Sequence, residues 1–151
     1  MTLHIIPDVH GCIEESKSLV ATLNIKDGDE VISLGDLINK GPHSAEVVKF
    51  FRELSERVKF TLIMGNHEEN FLKWLARPVE KRLPMRLHET FDALNNELEE
   101  ADRDFLRSSV LFKNFTVGGR EFFAVHGGIP FPLMEREELP TLEEVAKLLL
   151  Q

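Results

Sequence analysis

The segment VISLGDLINKG, residues 31–41, joins a short apolar run directly to a polar turn that contains two glycines. The apolar part, Val31–Leu34, has the length and hydrophobicity of a buried strand. Two other runs, Leu3–Ile6 and Phe60–Met64, are also apolar and also end in polar turns that contain glycine. The sequence therefore predicts three buried strands, each followed by a loop with polar side chains.

Helical patterns separate these strands. Apolar residues recur at helical spacing over Gly11–Leu23, over residues 44–54 with Ser44 as a candidate cap, and over Glu68–Leu75. An alternation of strands and helices indicates an α/β fold in which a parallel sheet is connected by helical crossovers. Ligands of open α/β sheets bind beyond the carboxyl ends of the strands, where all three polar turns are predicted to lie.

The middle and later parts of the chain follow other patterns. Residues 84–109 are rich in charges and predict one or two helices, which we interpret as an insertion beside the site. The charge run Glu97–Asp104 is expected to face solvent. Two apolar segments, Val110–Thr116 and Glu121–Val125, flank a glycine pair and predict a β-hairpin. We expect one domain over residues 1–151.

The composition excludes several classes of protein. The formal net charge is -8 and the isoelectric point is near 5.3, which argues against a binder of nucleic-acid duplexes. The single cysteine, Cys12, forms no internal disulfide. The amino terminus lacks the pattern of a signal peptide, and no apolar run has the length of a membrane span. We expect a soluble, cytoplasmic protein that is not bound to membranes.

Four polar motifs follow the predicted strands, and each combines candidate metal ligands with glycine. They are Asp8-Val9-His10-Gly11, the 35–41 segment, Gly65-Asn66-His67-Glu68 and His126-Gly127-Gly128. Mixed oxygen and nitrogen ligands suit Mn, Fe, Zn or Co better than calcium. Two such ions about 3.5–4 Å apart would stabilise an in-line displacement at phosphorus. A single motif of this kind would be weak evidence for a metal site. Four such motifs in order, each at the end of a predicted strand, are strong evidence.

Over about residues 3 to 130 these motifs resemble the calcineurin-like metallophosphoesterases, particularly the phosphoprotein phosphatases and the symmetrical bis(5'-nucleosyl)-tetraphosphatases. The resemblance implies an α/β fold in which a β-sandwich is flanked by helices on both outer faces. It implies two divalent metal ions, with Mn as the first choice and Fe, Zn, Co, Ni or Mg as alternatives. It also implies a phosphorylated substrate, either a phosphoprotein or a dinucleoside polyphosphate.

The resemblance assigns metal ligands residue by residue. Asp8, His10 and Asp36 would hold the first ion, and Asp36, Asn66 and His126 would hold the second. Asp36 would therefore bridge the two ions and count as catalytic.

The remaining roles concern the substrate. His67 would be the general acid that protonates the leaving oxygen, and Asn66 would also touch the phosphate. Asn39 and Lys40 stand where the family usually has aspartate and arginine. Because Asn39 carries no negative charge, the pKa of His67 should be lower than in the family pattern. Lys40 can contact a phosphate oxygen, but as a point charge.

The family also has a later histidine at the second metal, and no histidine follows His126 in this chain. Thr141–Glu144 has the pattern of a capping box, which predicts a helix running to Leu148–Leu150. We expect the C-terminal part of the domain to be missing, so that the second ion is bound more weakly than the first.

Three functions compete at this stage. The near-complete ligand set favours an active metallophosphoesterase. The departures at Asn39 and Lys40, with the absent histidine, would suit a catalytically impaired module that binds metal or phosphate and acts through a partner. A nuclease is less favoured, because no basic or aromatic stripe is present to hold a strand. The sequence leaves open whether the substrate is a phosphoprotein or a nucleotide.

Overall fold

A three-stranded parallel sheet forms the centre of the computed structural model, which describes residues 1–128. Its strands, in the order β1-β2-β3, are β1 Leu3–Ile6, β2 Glu30–Ser33 and β3 Lys59–Leu62. The predicted parallel sheet is confirmed: β1 has the predicted boundaries, and those of β2 and β3 differ from the predicted ones by one or two residues. β3 ends early because Ile63 leaves it to make an isolated parallel bridge with Val110.

Six helices occur in this part of the chain: α1 Ile13–Leu23, α2 Ser44–Ser55, α3 Asn66–Leu75, α4 Val79–Arg82, α5 His88–Glu97 and α6 Glu100–Arg107. Ser44 was expected to cap α2, but it is the first helical residue, and its hydroxyl accepts the Asn39 backbone N–H at 2.9 Å. α3 begins two residues earlier than predicted, at Asn66. The His67 side chain is therefore presented by the first turn of a helix.

The two faces of the parallel sheet pack against different layers because successive strand residues point to opposite sides. Ile6 and Val31 face the helices and join a buried cluster with Phe51, Phe71 and Trp74. All four residues of β2 are buried, as expected for a central strand. This apolar layer fixes the sheet edge at which the polar loops lie.

The opposite face of the parallel sheet carries the predicted hairpin. β4 Phe112–Val117 and β5 Arg120–Val125 pair antiparallel through the turn Gly118-Gly119, and both glycines have positive φ, as a two-residue hairpin turn requires. Ala124 packs with Ile32 and Ile63 across the two sheets. The resulting sandwich confirms the predicted fold class, and its described helices cover the other face of the parallel sheet.

Residues 84–109 form α5 and α6, which pack on α2 and α3. The expectation that Glu97–Asp104 faces solvent is wrong at Asp102, which is only 1% exposed. Its carboxylate accepts the Arg52 Nε–H at 2.8 Å and the Glu99 backbone N–H at 2.9 Å. Burial is tolerated because both an ion pair and a helix-capping hydrogen bond satisfy the charge.

Two further predictions concern a helix near the end of the chain and the absence of a membrane span. The helix predicted from Thr141 to Leu150 lies outside the described residues. Across residues 1–128, none of the helices has both the length and the apolar character needed to cross a membrane.

Candidate metal centre

The polar motifs meet at the carboxyl edge of the parallel sheet. Asp8 and His10 lie in the loop after β1, Asp36 lies in the loop after β2, and His126 follows β5. Backbone hydrogen bonds join the first two loops, since the His10 N–H donates to the Asp36 carbonyl at 2.9 Å and the Gly41 N–H donates to the His10 carbonyl at 2.8 Å. The sheet and this pairing place the side chains of distant segments together.

The same loops adopt backbone conformations that side chains rarely take. φ is positive at His10 (44°), Asp36 (52°), Asn39 (66°) and Lys40 (65°). A residue other than glycine in such a conformation costs about 1–3 kcal/mol of backbone strain, and such residues cluster at functional sites. The strain is concentrated in the residues to which the sequence analysis assigned chemistry.

The Asp36 carboxylate lies at the middle of the cluster and is 3% exposed. Its Oδ2 is 3.6 Å from His10 Nε2, and its Oδ1 is 3.6 Å from His126 Nε2. Candidate ligand atoms form two groups around it, His10-Asp36-His67 and Asp8-Asp36-His126, each within 4.8 Å. Asp36 belongs to both groups, as a bridging carboxylate would.

Hydrogen bonds to backbone carbonyls indicate which ring nitrogens carry protons. His10 Nδ1 lies 3.2 Å from the Ile38 carbonyl oxygen, and His126 Nδ1 lies 2.8 Å from the Leu34 carbonyl oxygen. A carbonyl oxygen can only accept, so we infer that both Nδ1 atoms carry the proton. The Nε2 lone pair of His126 therefore faces Asp36, and that of His10 accepts a hydrogen bond from the Lys40 ammonium 2.9 Å away.

The acceptor atoms converge without protons between them. His126 Nε2 lies 3.2 Å from Asn66 Oδ1 as well as 3.6 Å from Asp36 Oδ1, and in this arrangement all three atoms are acceptors. Lone pairs that face one another in a partly buried site are unfavourable unless a cation lies among them. Imidazole nitrogen, carboxylate and amide oxygen are a donor set that suits Mn, Fe, Zn or Co. The residues present thus fit divalent metal ions.

The structure brings the predicted residues to one place but pairs them differently. Asp8, expected beside His10, instead approaches His126, with 3.8 Å between Oδ1 and Nδ1. His10 instead has His67 as its neighbour, with their ring centroids 5.1 Å apart. The Lys40 ammonium lies 2.9 Å from His10 Nε2. The division of the ligands between two ions stays a prediction.

His67 is held from behind by Asn39. The Asn39 Nδ2–H donates to His67 Nδ1 at 2.9 Å, which leaves the ring proton on Nε2, 3.9 Å from Asp36 Oδ2. Burial is the largest influence on the His67 pKa and lowers it; the Asp36 charge raises it, and His10, Lys40 and His126 lower it further. In this arrangement His67 directs a proton, and not a lone pair, towards Asp36.

Comparison with known proteins agrees with this geometry. A family model described as "Calcineurin-like phosphoesterase" matches residues 1–150. The chain belongs to this family. Symmetrical bis(5'-nucleosyl)-tetraphosphatases of Acidovorax ebreus and Azotobacter vinelandii are 32% and 31% identical over 99% of the chain. The chain covers 52% of each, so it spans about half the length of the curated relatives it matches.

Solved structures share the fold of this chain. A cold-active protein-tyrosine phosphatase of a Shewanella species has a TM-score of 0.62 at 21% identity, covering 97% of this chain and 49% of that one. A metallophosphoesterase from Sphaerobacter thermophilus has a TM-score of 0.53 at 21% identity, covering 77% of this chain and 43% of that one. At such identities the likeness concerns the fold alone.

Glu68 supports the calcineurin-like site although the sequence analysis gave it no role. It is fully buried, and its two oxygens accept four backbone N–H groups at 2.8–3.3 Å: those of Asp36, Leu37, Ile38 and Gly65. Burial raises the pKa of Glu68, and these backbone donors oppose that shift. The signal was present, because a glutamate three residues after a helix cap can reach back to the cap N–H.

Gly65 lies where the Asp36 loop and the start of α3 are in close contact. A Cβ at position 65 would overlap the Oδ1 and the backbone nitrogen of Asp36 and would crowd Glu68 Oε2. Only glycine leaves room for the Asp36 carboxylate and its buried partner to lie against the start of α3. The glycine of this motif is therefore required by the close approach of two loops.

We expect Glu68→Gln to destabilise the fold by at least about 2 kcal/mol. An amide has one acceptor oxygen, so its NH₂ would face two of the four N–H donors, and each buried donor without an acceptor costs about 1–3 kcal/mol. Urea unfolding measures the loss. Glu69→Gln is the matched control, because it removes only a 2.8 Å surface pair with Lys73, worth about 0.3–0.5 kcal/mol. Equal stability of the two variants would contradict the supporting role.

Proposed function

We propose that this chain is a metal-dependent phosphoesterase that hydrolyses a phosphate ester or anhydride with a dinuclear centre. One observation carries the proposal: Nε2 of His10 and of His126 and Oδ1 of Asn66 converge as acceptors on the two sides of the Asp36 carboxylate. An anionic phosphate beside these acceptors would need more positive charge than the Lys40 ammonium supplies. Membership of the calcineurin-like family supports the same conclusion.

The metal ions would be held by residues of the two groups that share Asp36. We assign the ligands as in the sequence analysis: Asp8, His10, Asp36, Asn66 and His126. Bound there, divalent ions supply Lewis-acid stabilisation of phosphate charge and activation of a water molecule. Mn is our first choice, because the donor set mixes hard oxygen with imidazole nitrogen.

The chain's own residues would perform the remaining steps. The N-terminus of α3 presents the Asn66 side chain and the first-turn N–H groups at the site, where the helix dipole favours anions. The Lys40 ammonium, already within 2.9 Å of His10 Nε2, can bind a phosphate oxygen. His67 is oriented by Asn39. In its imidazolium form, with the Asn39 amide turned so that Oδ1 accepts from Nδ1–H, it can protonate the leaving oxygen.

Dinucleoside polyphosphates are the substrate class we favour. The curated relatives that match nearly the whole chain are named symmetrical bis(5'-nucleosyl)-tetraphosphatases. A serine/threonine phosphoprotein is the second candidate, since the motif of residues 65–68 resembles that branch. We also propose that residues 84–109 are a helical insertion within a single domain. The cytoplasmic location stays a prediction.

The experiment that tests the function uses metal-stripped protein, with Mn, Mg, Fe, Co, Ni and Zn added back in turn. Diadenosine tetraphosphate, p-nitrophenyl phosphate and a phosphoserine peptide serve as substrates. We expect hydrolysis only after a metal is restored, with diadenosine tetraphosphate giving the highest kcat/KM. Metal binding without hydrolysis of any substrate would favour the impaired module instead.

Lys40→Met should have opposite effects on metal binding and on substrate binding. Its ammonium donates to the His10 lone pair that a metal ion also needs, so we expect Mn²⁺ to bind about two- to tenfold more tightly once that competing hydrogen bond is gone. The KM for phosphate substrates should rise, because a positive partner of the phosphate is lost. Calorimetric titration and steady-state kinetics measure both.

Lys17→Met is the control for this change, since Lys17 pairs only with Glu14 on the surface of α1. It should leave the metal affinity and the KM at their original values. If Lys40→Met weakened metal binding, the proposed competition for His10 would be wrong.

A further inference from the structure

A recess of about 370 Å³ opens beside the metal cluster, between the loop that follows Asp36 and the helix α5. Asn39 and Lys40 line it from the loop, and Thr90, Ala93, Leu94 and Glu97 line it from α5. Its volume lies within the range of about 300–1,000 Å³ that is usual for small-molecule sites. The hollow on the other side of the cluster, next to Asn66 and His126, is only about 110 Å³.

The recess adjoins the His10–His67 side of the metal cluster through two loop residues. A general acid must be within reach of the leaving oxygen, so the leaving group lies on the His67 side of the scissile phosphate. Asn39 holds His67 at 2.9 Å and also forms part of the recess wall. Lys40 likewise lines the recess and reaches His10 Nε2 at 2.9 Å. The recess therefore lies behind His67 and meets the metal cluster at Lys40, next to His10.

The α5 wall offers the chemistry that a nucleoside needs. Thr90, Ala93, Leu94 and Glu97 are spaced three and four residues apart and so line one stripe of the helix. The exposed Ala93 provides an apolar surface for a base, and Leu94, which is only 5% exposed, adds little to it. The Glu97 carboxylate can accept hydrogen bonds from ribose hydroxyls or a base amino group, and it disfavours phosphate on its own side. Lys40 on the loop favours phosphate.

We propose that this recess binds the nucleoside of the leaving nucleotide when a dinucleoside polyphosphate is cleaved. The inference rests on the proposed function. Water adds to the scissile phosphorus, and the bond to the bridging oxygen breaks. The electron pair of that bond stays on the leaving phosphate, which takes a proton from the His67 imidazolium, and the proton lost by the attacking water passes to solvent. The leaving phosphates lie near Lys40, and their nucleoside occupies the space between the loop and α5.

Ala93→Trp tests the site by filling it. Ala93 is an exposed helix residue, so a larger side chain there is compatible with the fold. We expect the KM for diadenosine tetraphosphate to rise about tenfold more than the KM for p-nitrophenyl phosphate, equivalent to ~1.4 kcal/mol of binding. Asn96→Trp adds the same bulk to α5 at an exposed position that does not line the recess, and should change neither KM. Melting temperatures verify that both variants are folded.

A binding measurement tests the recess independently of the proposed hydrolytic function. Adenosine 5'-diphosphate is titrated into protein with Mn²⁺ in excess, and Ala93→Trp should weaken its affinity about tenfold or more. Glu97→Gln, which keeps the shape of the side chain, should weaken it to a smaller extent. If wild-type protein bound the diphosphate, with the affinity lowered in Ala93→Trp, but hydrolysed none of the substrates, the proposed function would be wrong. The assignment of the recess as a nucleoside site would still hold.

Other outcomes overturn the recess assignment. One is an unchanged diphosphate affinity in folded Ala93→Trp. Another is a rise in the KM for the phosphoserine peptide while that for diadenosine tetraphosphate stays constant, which would make the recess a peptide-binding surface.

Discussion

Replacing Asp36 with asparagine should abolish metal-dependent hydrolysis, with kcat/KM falling by at least about 100-fold. Mutation of a residue that only supports a metal ligand already costs about 10–100-fold in metal affinity or activity. Asp36 is itself a proposed ligand, and it is the carboxylate that both candidate groups share. Its two oxygens face Nε2 of His10 and Nε2 of His126 at 3.6 Å each. The loss should therefore affect both ions together.

The chemistry of the amide explains why such a small change has so large an effect. Asparagine keeps one acceptor oxygen, which can still accept the His67 backbone N–H that Asp36 Oδ1 accepts at 3.1 Å, so the loop should keep its shape. The new NH₂ group would instead donate to a histidine lone pair that a metal needs. The charge that would attract two cations is also gone.

Mass spectrometry of metal content, measured beside hydrolysis of p-nitrophenyl phosphate, decides this prediction. Asp27→Asn is the matched control, because the Asp27 side chain is 88% exposed and makes only a 4.0 Å contact with Arg57. That variant should retain metal and activity. If Asp36→Asn retained two ions per chain and full activity, Asp36 would not be the bridging ligand.

The sheet and the position of the site could be predicted because their signals are local. Each strand is an apolar run that ends at a glycine-containing polar turn, and parallel strands bring such turns to one edge. Leu3–Ile6 has the same boundaries in the prediction and in the structure, and Val31–Leu34 differs from β2 by one residue. The hairpin was also found, because Gly118-Gly119 is a turn signal between two apolar segments.

The pairing of side chains within the site could not be predicted in the same way. Whether Asp8 faces His10 or His126 depends on how each loop turns after its strand. In the structure that turn passes through left-handed conformations at His10 and Asp36. Such conformations are uncommon for residues other than glycine, and backbone bonds between the loops maintain them together with the Glu68 carboxylate.

Buried charges were missed for a related reason. Glu68 accepts the Leu37 N–H from 31 residues away, and Asp102 pairs with Arg52 from 50 residues away. Charged residues usually face solvent, so a composition-based expectation places them there. Only the tertiary fold brings the partners that make burial tolerable.

His67→Asn should lower turnover of the phosphoserine peptide, whose leaving alkoxide is strongly basic, by about 10²–10⁴-fold, the usual contribution of a positioned general acid. Only the imidazolium form of His67 is acidic enough to give up a proton near neutral pH, and the amide of asparagine has no proton of comparable acidity. p-Nitrophenolate leaves without protonation, so the loss on p-nitrophenyl phosphate should be much smaller. Metal content should be unchanged, because His67 directs its proton and not a lone pair towards Asp36.

The comparison of the two substrates distinguishes an acid from a ligand. His43→Asn is the control, since His43 is a half-exposed histidine that pairs with Glu46 at 2.9 Å and should affect both substrates little. The His10-Asp36-His67 group would also allow His67 to bind metal if the Asn39 amide were turned to accept from Nδ1. In that case His67→Asn would lower the metal content, and turnover of both substrates would fall equally. Unequal losses with full metal content establish His67 as the proton donor.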